Sequence, residues 1–235
     1  LALGIAFLRA GTDQWGLFAQ ICILVGSLLT GGGIIGGADG SLASILGVAG
    51  LFAVTAVFAR SGLLAVLATL MLSAAVGART GYFHASYFLI IREPVITVVL
   101  FSFLAMGLYQ LAKAIPREYG RLTLIAARTA VFLVNFGFWV GSLWGDDLAN
   151  RSIPESVFSI AWALALLTTG IWSWRRNRRW VLNTCAVFAG IHLYTQWFEH
   201  LHASAGSVLM AGLVALALAL VLHRLNRKMA GSARE

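Results

Sequence analysis

Residues 205–223 read AGSVLMAGLVALALALVLH, and residues 224–228 read RLNRK. The first stretch holds no Asp, Glu, Lys or Arg over 19 residues. As an α-helix it is about 28 Å long, close to the roughly 30 Å hydrocarbon core of a bilayer. Alanine and leucine are strong helix formers. In lipid every backbone amide must be bonded internally, which a helix achieves by itself. The arginines and lysine that follow mark the return to water. This stretch therefore predicts a membrane-spanning helix with a basic end.

The rest of the chain reads the same way. Of its 235 residues, 60% are hydrophobic and only 11% charged, with a mean hydropathy of +0.85. Soluble domains carry about 25% charged residues and about 45–50% apolar ones. Seven further segments come near the length and apolarity of a span: Trp15–Gly33, Leu42–Ala59, Gly62–Ala78, Pro94–Leu111, Leu122–Trp144, Ser156–Trp174 and Trp180–Phe198. Leu1–Phe7 is apolar but too short to span, and reads as the end of a helix whose beginning lies outside this sequence. The expected fold is all-α: an integral membrane helical bundle of about eight complete transmembrane helices plus a truncated N-terminal one. A single transmembrane domain over residues 1–235 is expected, preceded in the full protein by an N-terminal region outside this sequence.

Charge supports this parse. If the breaks alternate between two sides, one side receives Arg9, Arg60, Lys113, Arg117, Arg121, Arg128, Arg175, Arg176, Arg178, Arg179, Arg224, Arg227, Lys228 and Arg234. It also receives the acids Asp13, Glu118 and Glu235, for a net charge of +11. The other side receives Arg79, Arg92 and Arg151 against Asp39, Glu93, Asp146, Asp147, Glu155 and Glu199, a net of −3. Lysine and arginine collect on the cytoplasmic face, so the C-terminus is expected there. Trp144, Trp172, Trp174, Trp180 and Trp197 stand near span edges, where amphipathic rings rest at the headgroups. Arg175, Arg176, Arg178 and Arg179 form a tight turn, read as a topology anchor that also attracts anionic lipid. The net charge of +8 is thereby accounted for by orientation, and nucleic-acid binding is not expected.

Residues 79–93 fit no span. Tyr82 to Ile91 is too apolar for a free loop and too short to cross, so it is expected to rest at the outer interface, or else to re-enter the bundle. Cys22 and Cys185 both fall inside apolar runs and read as buried small side chains, with neither a disulfide framework nor a metal spacing.

Two polar constellations are candidates for chemistry. Arg128, Asn135, Ser142 and Asp146, with Trp139 among them, recur on one helical face. They read either as one wall of a polar cleft or as helix–helix hydrogen bonding with charged ends reaching the interfaces. His192, Gln196 and Glu199 share a face near the outer boundary, followed by His200 and His202. A His–Glu pair could hold a proton or a divalent ion, but no HExxH-type motif is present and no metal site is assigned. Gly32/Gly36 and Gly33/Gly37 are GxxxG pairs, suited to close helix packing, to an outward-facing turn, or to an unwound half-helix. No Walker lysine and no GxSxG motif occurs. Asp146 and Asp147 are adjacent carboxylates in a short break, a weak basis for acid–base catalysis. No catalytic residue and no cofactor is assigned.

The text Leu193-Tyr194-Thr195-Gln196-Trp197-Phe198-Glu199, then Gly212 to Leu220, ending Arg224-Leu225-Asn226-Arg227-Lys228, resembles the C-terminal end of a family of uncharacterised bacterial multi-span membrane proteins, a domain of unknown function. The likeness is limited to the C-terminal two helices. It implies a bacterial inner (plasma) membrane and a region preceding the first span, and carries no functional residue with it. Two functions stay open. One is a transporter-like protein with a polar cleft between helices. The other is a non-catalytic scaffold or subunit that packs against another membrane protein or a second copy. An intramembrane enzyme is the weakest fit.

Overall fold

A computed structural model describes residues 1, 4–6, 16–83, 86–148, 151–201 and 204–231. Among these residues there are eight helices: α1 Gly16–Gly37, α2 Leu42–Ala59, α3 Gly62–Ala75, α4 Pro94–Ala114, α5 Arg117–Trp144, α6 Glu155–Arg175, α7 Arg179–Leu201 and α8 Ala205–Gly231. Two antiparallel hairpins interrupt them, β1 Ala78–Phe83 with β2 Ser86–Ile91, and β3 Asp146–Leu148 with β4 Arg151–Ile153. The expected positions of Arg9, Asp13, Trp15, His202, Arg234 and Glu235 lie outside the described residues.

Among the described residues, six helices are long and apolar enough to cross a membrane: α1, α2, α4, α5, α6 and α8. The chain is thus a multi-pass helical membrane protein, but the expected count of eight spans is not supported. Helix α3 has 14 residues, about 21 Å of rise and short of the hydrocarbon thickness. Helix α7 has 23 residues but is too polar to qualify, because Asn183, His192, Gln196 and Glu199 interrupt its apolar run.

The ends of the helices follow local chemistry. Ser41 caps α2 by accepting the Ser44 N–H at 3.4 Å, and Ser61 caps α3 by accepting the Leu64 N–H at 3.5 Å. Arg60 closes α2 in the left-handed region at φ 50°. Pro94 stands at the start of α4, where a missing N–H costs nothing. Helices α5 and α8 run beyond the apolar segments read from sequence, to Arg117 and Gly231. Hydropathy ends where water begins, whereas backbone hydrogen bonding continues until a cap or breaker stops it. The segment expected to lie at the interface or to re-enter forms paired backbone: Ala78 faces Ile91 and Tyr82 faces Tyr87.

The chain forms two compact units. The first comprises residues 1–140 and 146–152. Its largest core joins α1, α2 and α3 through Ile23, Val48, Phe52, Ala56 and Leu64. A second cluster, Phe101 with Ala130 and Leu133, joins α4 to α5. The other unit comprises residues 141–145 and 153–235. Here α6 packs on α7 around the fully buried Trp162, with Phe188 at a ring distance of 6.5 Å. In both units the outward positions are apolar. Leu17, Phe58 and Phe103 are each more than 70% exposed. Hydroxyls inside the helices return to their own backbone, as Ser27 does to Ile23 O and Thr55 to Leu51 O, both at 2.7 Å. An apolar exterior with internally bonded polar groups is the arrangement that lipid requires.

Candidate functional site

Of the stripe expected from helical spacing, Arg128, Asn135, Trp139 and Ser142 lie on α5, whereas Asp146 lies beyond its end, in β3; the buried members are polar. Asn135 and Asp146 are 8% and 6% exposed, and Ser142 is 1% exposed. Arg128 and Trp139 are half-buried. Asn135 Nδ2 donates to the Val131 carbonyl at 2.8 Å, one turn back. Phe136 and Trp139 lie with ring centroids 6.1 Å apart. Asp146 Oδ2 accepts the backbone N–H of Val95 at 2.8 Å, at the first turn of α4. The helix's own N-cap residue, Glu93, makes no side-chain cap. A carboxylate at the positive end of a helix dipole is stabilised there.

Sequence reasoning missed the partners that create this site. Gly137 lets α4 come close: a Cβ at that position would lie 3.0 Å from Val98 Cγ2 and 3.3 Å from Thr97 Cγ2. Thr97 is itself buried and donates to Glu93 O at 3.0 Å. Gly137 sits on the polar stripe's own helix, and Pro94 marks the start of a helix in need of a cap. Those two signals were present in the text, but the pairing of residues 51 positions apart was not.

The α7 cluster belongs to the other unit. His192 is half-buried and stands edge-on to the Trp162 ring, with centroids 4.9 Å apart. Gln196 is half-buried and Glu199 is exposed. Nδ1 of His192 and Nε1 of Trp197 are buried without a hydrogen-bond partner among the described residues. The described residues hold no group of three His, Cys, Asp or Glu side chains placed to share a metal ion. Ser142 falls in this unit, while Arg128, Asn135, Trp139 and Asp146 fall in the first.

The glycines of α1 divide in two. Gly31 is buried, and a Cβ there would meet Val48 Cγ1 at 2.9 Å, so Gly31 is the residue that admits α2. Gly32, Gly33, Gly36 and Gly37 are exposed, and a Cβ on any of them would meet nothing within 4 Å.

Arg175, Arg176, Arg178 and Arg179 are all exposed around the α6–α7 turn. Asn177 supplies the left-handed residue at φ 55°. The N–H groups of Arg176, Asn177 and Arg178 donate to Trp172 O, Trp174 O and Ser173 O at 3.0, 3.1 and 2.8 Å. No family model matches this chain, and neither does any curated protein or solved structure.

Proposed function

We propose that this protein is a non-catalytic membrane subunit that presents the glycine-rich end of α1 to a helix of another membrane protein or of a second copy. The observation that carries this reading is the open face at Gly32, Gly33, Gly36 and Gly37, beside a Gly31 already used for internal packing. Small residues let two helix backbones approach within van der Waals contact in lipid, where no hydrophobic force drives association. The polar residues on α5 and just beyond it fit this reading too. Asn135 and Asp146 each bond to nearby backbone, which is how a packing element treats its polar residues. The resemblance of the last two helices to bacterial multi-span proteins supports an inner-membrane location, and the charge asymmetry supports a cytoplasmic C-terminus.

The test replaces Gly32, Gly33, Gly36 and Gly37 together by leucine. In mild detergent, native mass spectrometry of the wild type extracted from its own membrane should give an assembly larger than the 25.2 kDa chain. The variant should give the lone chain with an unchanged Tm. A wild type that runs alone, or a variant that stays assembled, would rule the proposal out.

A second reading, a transporter-like protein with a polar cleft, draws on the buried unpaired nitrogens of His192 and Trp197. Buried polar atoms without partners are rare in folded proteins and often mark places where a ligand or water belongs.

A further inference from the structure

The α6–α7 turn concentrates charge that no carboxylate among the described residues offsets. Four arginines occupy five consecutive positions. None of the four pairs with a carboxylate among the described residues, in contrast to Arg60, which meets Glu118 at 2.9 Å. The nearest acid along α6 is Glu155, 20 residues before Arg175, about 30 Å away along the helix. That is some three Debye lengths at physiological salt, about 8 Å each. The N–H groups of Arg176, Asn177 and Arg178 are spent on closing the helix, and the side chains of all four arginines are exposed.

Directly below the turn, α6 carries an exposed apolar stripe. Ile160, Leu164, Leu167, Ile171 and Trp174 follow a 4-3-4-3 spacing, and each is between 42% and 63% exposed. Residues at such spacing lie on one face, and from Ile160 to Trp174 they cover about 21 Å. An acyl chain has this length and this chemistry. At the upper end of the stripe stands a tryptophan ring, which suits the headgroup boundary, and above it stand the arginines. Guanidinium groups match phosphate oxygens in a bidentate fork.

We propose that this stripe and turn form a binding site for one anionic phospholipid, with its phosphate on Arg175, Arg176, Arg178 and Arg179 and one acyl chain laid along Ile160–Trp174. Charge complementarity selects a lipid over an apolar helix of a second copy, because a second copy would bring four more arginines to the same place. This inference rests on the membrane-spanning reading and not on the subunit role of α1.

The experiment measures lipid retained by the purified full chain in detergent, by native mass spectrometry. Long-chain phosphatidylglycerol is compared with phosphatidylcholine of the same chains, with dihexanoyl phosphatidylglycerol and with inorganic phosphate. Phosphatidylglycerol should be retained at least tenfold over phosphatidylcholine. Each Arg→Gln change among the four should lower that preference by about fivefold, from the roughly 1 kcal/mol that a basic residue contributes near an anionic surface. The quadruple Arg→Lys variant keeps the charge that orients the chain. It should insert normally and retain an intermediate preference. Equal retention of both lipids, or a preference untouched by R175Q and R179Q, would overturn the site. Phosphate or the dihexanoyl lipid competing as well as the long-chain lipid would show an anion site without an acyl groove and would overturn the assignment. A dimer mass abolished by Leu167→Ser would place a second copy on the stripe instead. Loss of the α1 assembly leaves this result unaffected, so the two readings fail separately.

Discussion

Asp146 Oδ2 accepts the N–H of Val95 at 2.8 Å, so the carboxylate that follows the end of α5 caps the start of α4. The two residues are far apart in sequence but belong to one end of the first unit. At the opposite end, Arg60 and Glu118 meet at 2.9 Å. Helix α4 is therefore tied at its start by Asp146, packs on α5 through Phe101, Ala130 and Leu133, and α5 is held at its own start to the end of α2 by the Arg60–Glu118 pair.

Because Glu93 makes no cap of its own, Asp146→Ala should lower stability by about 1–2 kcal/mol, the usual cost of losing a cap plus its dipole interaction. Asp146→Asn should cost less, since the amide oxygen still accepts. Glu93→Gln should be neutral. Thermal unfolding in detergent reads all three, and equal Tm values for D146A and wild type would refute the cap.

The glycines should separate by context. Gly141→Ala would bring a Cβ to 2.6 Å from Phe158 Cε1. Phe158 is buried and has little room to turn, so a loss of about 1–3 kcal/mol is expected. Gly31→Ala meets Val48 and should also destabilise. Gly36→Ala meets open space and should leave the Tm of the lone chain unchanged or raised.

Asn135→Leu distinguishes the two functional readings. If the chain is a subunit, the substitution removes a side chain that bonds to Val131 O and leaves assembly size and location intact. If the chain carries solute through a polar cleft, ion or solute flux in proteoliposomes should vanish. Flux that survives the change would remove the stripe from any transport pathway.

Arg60 and Glu118 are both well exposed, with side chains 62% and 59% accessible. Their pairing should contribute little, under about 1 kcal/mol in a double-mutant cycle, and less in high salt. A larger coupling would mean the pair is shielded, by lipid headgroups or by a partner.

Reporter fusions test orientation. Fusions after residues 115 and 177, which α5 and α6 separate, should report the same, cytoplasmic side. Reporters at 115 and 177 on opposite sides would break the alternation on which the charge sorting depends.

Much of the fold is legible in the amino-acid sequence. Apolar runs of about 20 residues, a span opening at Pro94 and the basic breaks all act locally, through chain solvation and backbone bonding. The count of spans was less legible, because α3 is cut short by a hairpin and α7 is diluted by His192 and Gln196. The candidate site was half legible. Helical periodicity put Asn135 and Ser142 on one helix, and both are buried, whereas Asp146, expected on the same face, lies past the end of α5 in β3. That Asp146 would cap α4, or that Gly31 rather than Gly33 would meet α2, depends on which helices become neighbours.

The sequence by itself determined that these helices live in lipid and where most of them begin and end, because transfer free energy and capping depend only on nearby residues. Tertiary packing decided which polar groups are satisfied by which partners and which glycines stay uncovered. Those outcomes turn on contacts of a few ångströms between segments dozens of residues apart, and no local rule specifies such distances.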